Sequence, residues 1–134
     1  MEKYYNDAII GNKEITANFT KKGELIRLFY PTTDYRQFID FFHTGVKIND
    51  SSMIYLHDDV NNLYDQYYTE NTNILNTEIF NTYFKLKILQ TDFVCESKNV
   101  LIKKYKMKNE NSIDLNINFI AHSALLTSNN NQAS

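Results

Sequence analysis

The chain has 134 residues and a mass of 15.8 kDa, which corresponds to a single domain. Hydrophobic residues make up 43% and charged residues 22%, so the composition is that of a globular protein and not of a disordered one. A net charge of −2 gives no long-range attraction for phosphate backbones, which argues against a nucleic-acid-binding protein. No run approaches the roughly 18 apolar residues of a membrane span. Because no secretory leader is visible and Cys95 is the single cysteine, we expect a cytoplasmic protein that binds neither nucleic acid nor membrane.

Alternation of apolar and polar residues with a period of two is the main pattern in the sequence. The first predicted strand covers Ile15–Thr20, and the turn Lys21–Glu24 follows, with Gly23 supplying the positive φ of a bulged hairpin. The next strand, Glu24–Tyr30, is apolar on both faces and is therefore predicted to be central in its sheet. Pro31 ends this strand because proline cannot donate to a ladder.

One segment departs from that pattern. Four apolar residues fall at helical spacing: Phe38, Ile39, Phe41 and Phe42. Asp34 with Gln37 three residues later resembles a capping box, so we expect one short helix over residues 35–42. Beyond it, Gly45 and the cluster Asn49–Ser52 mark turns.

The second half of the chain predicts further strands. They cover residues 53–57, 63–69, 74–80, 84–88, 99–108 and 112–123. Turn signals recur about every 8–12 residues, the spacing of a sandwich or barrel, and no connection has room for a crossover helix. The predicted fold class is therefore all-β, an antiparallel β-sandwich over residues 1–127, followed by a disordered polar tail over residues 128–134.

Residues with catalytic or metal-binding chemistry are present but not in a recognisable spacing. The candidate metal ligands are His43, His57, His122, Cys95 and the pair Asp58–Asp59. No two histidines are spaced for one helix or strand face, and no second cysteine completes a zinc knuckle. No Gly-x-Ser-x-Gly motif occurs, and we interpret the single thiol as half-buried and inert. We therefore assign no metal-binding, cofactor-binding or nucleophilic residue.

The acidic and basic side chains are predicted to lie mainly on solvated faces. Most of the sixteen acids, Asp92 among those considered, fall in predicted loops or on polar strand faces, and none is marked as desolvated beside an ionised partner. We assign no catalytic carboxylate. Lys104, Lys106 and Lys108 share one strand face, which indicates a solvated edge. The chain has no Trp, but several tyrosines leave open an autonomous carbohydrate-binding face: Tyr4, Tyr5, Tyr64, Tyr67 and Tyr68.

Five segments together carry a resemblance to a known family. In order they are Ile9–Glu14, Leu25–Tyr35, Tyr68–Thr77, Gln90–Val94 and Val100–Tyr105. An Ile-Gly-Asn sequence leads into a strand, a glycine turn, a hydrophobic strand, a proline and an aspartate. This order resembles the N-terminal domain of bacterial glucoamylase-like proteins of glycoside hydrolase family 15.

The resemblance implies a large antiparallel sandwich, of the supersandwich type, placed before a helical (α/α) barrel. In the family that barrel carries the two glutamates that hydrolyse α-glucosidic bonds with inversion, and no glutamate of this chain corresponds to them. The implied role is a non-catalytic N-terminal sandwich whose parent protein is the enzyme and whose partners are that barrel and α-glucan. Because the sandwich would be incomplete, open edges also predict self-association. Two alternatives remain open, a carbohydrate-binding module and a self-associating interaction domain.

Overall fold

The computed structural model describes residues 8–31 and 38–125, and ten strands run through these ranges. They are β1 (Ala8–Gly11), β2 (Thr16–Phe19), β3 (Leu25–Phe29), β4 (Ile39–Ile48), β5 (Ser52–Tyr55), β6 (Asn62–Tyr68), β7 (Leu75–Asn81), β8 (Leu86–Val94), β9 (Leu101–Asn109) and β10 (Ile117–Leu125). Every strand pair is antiparallel, and no helix occurs in the described ranges. The predicted all-β class is confirmed. The tail predicted for residues 128–134 lies outside the described ranges.

Three sheets form two layers. One layer is the four-stranded sheet β6-β7-β8-β9, and the other contains the three-stranded sheets β1-β2-β3 and β10-β4-β5. β3 runs beside the beginning of β4, where the Phe38 N–H donates to the Leu28 carbonyl at 2.6 Å. The described residues contain no helix of the length and apolar character needed to span a membrane.

Two apolar clusters fill the space between the layers, and each joins a three-stranded sheet to the four-stranded one. The first contains Ala8, Ile10, Ala17, Phe19, Leu25, Ile39 and Leu75. The second contains Val46, Ile48, Ile54, Leu56, Ile79, Leu86 and Ile88. Both clusters include residues of β4 and β7, so these two strands run the length of the core.

The helix expected over residues 35–42 is wrong wherever the structure describes that segment. From Ile39 onward the chain is strand β4, in antiparallel register with β10. Phe42 packs against the first apolar cluster, whereas Phe41 stacks on the opposite face with the His43 ring, 4.9 Å between centroids. Apolar residues on both faces of a strand remove the period of two and imitate helical spacing. Residues 35–37 of the expected helix lie outside the described ranges.

The predicted turns are confirmed except at Gly45. This glycine lies inside β4, and the Met53 side chain occupies the space where a Cβ would be. The turn at Asn49–Ser51 is present, with positive φ at Asn49 and Asp50 and a Ser51 N–H bond to the Ile48 carbonyl.

The hairpin between β2 and β3 has the predicted turn, with Gly23 at φ +87° and its N–H bonded to the Thr20 carbonyl at 2.9 Å. β3 ends at Phe29, before Pro31, as expected. Its predicted central position is wrong, because β2 is central and β3 is an edge. Its open side meets the start of β4, and Leu28 packs against the first apolar cluster.

Candidate functional site

A band of polar side chains crosses the core-facing side of the four-stranded sheet. The register aligns one row across all four strands and part of the next: Gln66, Thr77, Gln90 and Tyr105, then Asp92 and Lys103. We call these six residues the polar band. On one side of the band, Leu75 of the first apolar cluster is the cross-strand partner of Asp92. On the other side, Ile88 of the second cluster is two residues before Gln90 on β8 and shares its face. The band therefore runs between the two apolar clusters.

Hydrogen bonds link the band to the elements packed over it. The Gln90 amide donates to Asp92 Oδ2 at 2.7 Å and to the Gly23 carbonyl at 2.9 Å, and its Oε1 lies 2.8 Å from His57 Nε2. Lys103 Nζ donates to Asp92 Oδ1 at 2.6 Å. Because both Gln90 amide hydrogens are already donated, His57 Nε2 must carry the proton that Oε1 accepts.

Burial dominates the electrostatics of this chain of residues. It raises the pKa of Asp92 and lowers the pKa of Lys103, and in each case the charge of the other residue acts in the opposite direction. The ammonium of Lys103 also lies 5.0 Å from the Phe19 ring centroid and 5.3 Å from that of Phe42. Burial lowers the pKa of His57 to about 4, so its imidazole is neutral at pH 7.

The geometry of the band is suited to holding the β2–β3 hairpin on the sheet and not to hydrolysing a glycosidic bond. Among the described residues Asp92 is the one buried carboxylate, fully enclosed, with both oxygens already accepting hydrogen bonds. Glycoside hydrolysis uses two carboxyl groups that reach the substrate from either side of its bond. The band instead ties the β2–β3 hairpin to the sheet, since Gln66 also donates to the Thr20 carbonyl at 2.9 Å.

The exposed lysines of β9 were predicted correctly from the sequence, but the buried pair of Asp92 and Lys103 was not. Lys104, Lys106 and Lys108 are exposed on the outer face, as predicted. Lys103 is on the core-facing side, and Asp92 lies directly opposite it on β8. The available signal was that each residue interrupts an apolar face of its strand.

An open groove of about 500 Å³ lies on the outer face of the same sheet. Its lining includes Leu63, Asp65, Glu78, Phe80, Lys87 and Glu110. Asp65 and Glu78 are directly opposite each other on β6 and β7, and Tyr67 donates its hydroxyl to Glu78 Oε2 at 2.8 Å. This bond with the carboxylate raises the pKa of Tyr67. Carboxylate acceptors beside an exposed apolar floor suit a neutral ligand rich in hydroxyl groups.

The described tyrosines among those considered for a carbohydrate-binding face lie on both sides of the four-stranded sheet. Tyr67 is on the outer face, whereas the Tyr64 hydroxyl donates to the Leu56 carbonyl at 2.8 Å. The Tyr68 hydroxyl donates to the Ile9 carbonyl at 2.9 Å and so holds β1 in place. Tyr4 and Tyr5 lie outside the described ranges.

The histidines separate into one buried residue and one surface pair. His43 and His122 are cross-strand partners on β4 and β10, with 5.5 Å between ring centroids, and Glu24 Oε2 lies 3.8 Å from His43 Nε2. These two rings are brought together by the pairing of β4 with β10. The spacing of histidines along one strand cannot reveal such a pair. Within the described ranges, no group of three or more His, Cys, Asp or Glu side chains could hold a metal ion.

The cysteine follows the end of β8 and is half-buried, as predicted. Its sulfur lies 3.9 Å from the Ser97 hydroxyl, and hydrogen bonds with Ser97 lower the pKa of Cys95. The lowered pKa raises the thiolate fraction at neutral pH, and the interpretation of this thiol as inert stays a prediction.

The chain is similar to a protein of Methanocaldococcus jannaschii that bears the name uncharacterized glycosyl hydrolase. The two are 33% identical over 115 residues, which make up 86% of this chain and 18% of the relative. The chain thus spans less than a fifth of the length of the relative it matches. No family model and no solved structure matches the chain. The similarity indicates a domain related to glycoside hydrolases.

Proposed function

We propose that this chain is the non-catalytic β-sandwich part of a glucoamylase-like glycoside hydrolase of family 15. Its role is to support a catalytic (α/α) barrel that belongs to another part of the parent protein. The observation that carries the proposal is the similarity to an 18% portion of a protein named as a glycosyl hydrolase. Most of that relative is left over for a separate catalytic unit, and the resemblance of the five sequence segments supplies the family.

The chemistry of the described residues supports a non-catalytic role. The one enclosed carboxylate, Asp92, is neutralised by Lys103 and is sealed from substrate. Asp65 and Glu78 face each other in an open groove, where solvent reaches both carboxyl groups. A hydrolase needs one carboxyl group protonated and the other ionised at the same pH. We therefore expect the isolated chain to hydrolyse no glucan.

The experiment uses the M. jannaschii relative as recipient. Hydrolysis of maltose, maltotriose and soluble starch is measured for that protein, for a deletion of the matching segment, and for a chimera carrying this chain in its place. We expect the deletion to lose activity and thermal stability and the chimera to regain a substantial part of both.

Each component of the proposal has its own contrary result. A relative that cleaves glycosides but no α-glucan overturns the family assignment. A deletion with full activity and stability, or a chimera no better than the deletion, overturns the supporting role. Turnover by the isolated chain that disappears in Glu78→Gln overturns the non-catalytic role.

The groove on the outer face favours a second candidate function, a carbohydrate-binding module. Asp65, Glu78 and Tyr67 offer hydrogen-bonding groups beside the apolar surface of Leu63 and Phe80. Titration with malto-oligosaccharides can be followed by tyrosine fluorescence, since the chain has ten Tyr and no Trp.

In that titration, Glu78→Gln is expected to weaken binding about tenfold, because it removes a charged acceptor from the groove. Glu70→Gln, at an exposed position outside the groove, serves as the matched control and should bind like the parent chain. A flat fluorescence trace up to millimolar sugar rules out this second function.

A further inference from the structure

The sheet edges differ in how well they are protected against pairing with another strand. β1, β3 and β5 have only four or five residues each. β6 carries Asp65, and β9 carries a row of exposed lysines. Short length and charge are the usual devices that prevent strand addition. Each of these five edge or near-edge strands is therefore protected either by its short length or by charged side chains.

β10 has neither device. It is nine residues long, from Ile117 to Leu125, and contains no charged residue, proline or glycine. One side pairs with β4 along the whole strand, and no described strand lies on the other side. Its side chains are largely exposed, with Phe119 at 42%, Ile120 at 37% and Leu125 at 67%. An uncharged edge of this length is a template for strand addition.

We propose that the occupant of this edge is a second copy of the same chain, paired antiparallel along β10 about Ala121. This inference goes beyond the proposed function. In that register Ile117 lies opposite Leu125 of the second copy, and Ala121 lies opposite itself. The two three-stranded sheets then join into one sheet of order β5-β4-β10-β10-β4-β5.

The residues of β10 favour self-pairing over pairing with a charged partner. Ala121 is the middle residue of the nine, so the symmetric register uses the full length of both strands. No like charges meet at any position, because the strand has none. A small side chain, that of Ala121, lies at the two-fold axis, where two copies of one residue must share the space.

The expected affinity follows from the size of the contact. Two strands of this length exchange about nine backbone hydrogen bonds, and their area is well below the roughly 1,600 Å² of a standard interface. We therefore expect a reversible dimer with a dissociation constant of about 1–100 μM. Sedimentation equilibrium across that range measures it directly. A chain that stays monomeric at about 500 μM, well above that range, overturns the proposal.

Disulfide trapping tests the position of the axis. In the register centred on Ala121 the two Cα atoms are about 4.5–5.5 Å apart, within the range of a disulfide. We expect Ala121→Cys, in a Cys95→Ser background, to form a linked dimer under mild oxidation. Val60→Cys in the same background is the matched control, since Val60 is 98% exposed and lies on the connection between β5 and β6. Equal dimer yields from both variants contradict the proposed axis.

A charge exchange at the axis tests the register independently. Ala121→Lys and Ala121→Glu each place two like charges side by side, and each variant is expected to dimerise at least tenfold more weakly. An equimolar mixture should restore dimerisation, because unlike charges then meet. Circular dichroism confirms that each variant is folded, and Ala121→Arg or Ala121→Asp replaces the variant of the same charge if that variant is not. Unchanged dimerisation of the single variants, or no recovery in the mixture, overturns the pairing.

Discussion

Lys103 Nζ lies 2.6 Å from Asp92 Oδ1, and both side chains are enclosed in the core, at 9% and 0% exposure. The two residues are direct partners across β8 and β9. Burial removes water from both charges, which is why the pKa of Asp92 is raised although an ammonium lies beside it. Desolvation thus exceeds attraction, and the pair is more important to the fold as a pair than either residue is alone.

Removal of one partner is therefore expected to destabilise the protein strongly. Asp92→Asn leaves the Lys103 ammonium buried without a counter-charge, at a cost of about 3–5 kcal/mol. Lys103→Met leaves the carboxylate with Gln90 as its remaining hydrogen-bond donor. The double variant should lose clearly less than the sum of the two single losses. Urea denaturation at pH 7 measures all three.

The control for this cycle is Lys104→Met, on the exposed face of the same strand, which should change the unfolding free energy by less than about 0.5 kcal/mol. Additive losses at Asp92 and Lys103 would show that the two charges do not stabilise each other.

His57 predicts a loss of stability on acidification. Its folded-state pKa is about 4, below the ordinary 6.5, so the unfolded chain takes up a proton first as the pH falls. The stabilisation is complete above pH 6.5 and decreases by about 3 kcal/mol as the pH reaches 4. The neighbouring charges of Lys103 and His43 act in the same direction as burial.

Urea unfolding of the parent chain and of His57→Gln between pH 4 and 7.5 checks this. The glutamine can still donate to Gln90 but does not titrate, so the difference in stability between the two proteins should change with pH. Parallel pH profiles for the two proteins would contradict the assignment of the effect to His57.

Gly23 is expected to resist substitution for two physical reasons. Its φ of +87° disfavours a side chain, and an added Cβ would lie 2.9 Å from the Thr77 side chain. Gly23→Ala should cost about 1–3 kcal/mol in thermal or urea unfolding. Adding Thr77→Ala removes the two atoms at 2.9 Å and leaves the Thr77 Cβ at 3.1 Å, so it should make the Gly23→Ala penalty smaller. An equal penalty in both backgrounds would assign the whole effect to the backbone.

Substitution of Tyr105 is expected not to destabilise the protein, in contrast to the substitutions above. Its hydroxyl is buried, and so is that of Thr44, and neither forms a hydrogen bond of normal geometry with the described residues. Burial also raises the pKa of Tyr105. Tyr105→Phe should leave stability unchanged or raise it by up to about 1 kcal/mol, because an unsatisfied polar group is removed.

The matched control is Tyr64→Phe, which deletes a hydroxyl that does donate, to the Leu56 carbonyl, and should cost about 1 kcal/mol. Both variants remove one tyrosine hydroxyl, but only the Tyr64 hydroxyl forms a hydrogen bond in the structure. Differential scanning calorimetry compares the melting temperatures of the two variants. A loss at Tyr105 as large as that at Tyr64 would show that the Tyr105 hydroxyl has a partner in solution.

Strands with one solvated face were readable from the sequence. Leu86 and Ile88 are buried while Lys87 between them is exposed, which preserves the period of two. β4 was not readable in this way, because the core covers Phe42 on one face and the His43 and His122 rings cover Phe41 on the other. The His122 ring of that second cover is on β10, which is distant in sequence, so a local pattern cannot contain it.

The buried pair was visible only in part. The alternation in β8 places Asp92 on the face of Leu86 and Ile88, which is an unusual position for a carboxylate. Its compensation by Lys103 depends on the exact register of β8 against β9, which the spacing of the sequence leaves open. The groove on the outer face was hidden for the same reason, since Asp65 and Glu78 meet only through the pairing of β6 with β7.

The buried pair Asp92–Lys103 of the polar band favours one register of β9 against β8 within the four-stranded sheet. A slip of β9 by two residues would keep apolar faces inward but would set Asp92 against Leu101 or Tyr105, with no counter-charge. The same slip would leave the ammonium of Lys103 buried without the Asp92 carboxylate as its counter-charge. A wholly apolar interior would tolerate such shifted assemblies. Misassembled forms of this chain are therefore penalised through one buried pair of opposite charges.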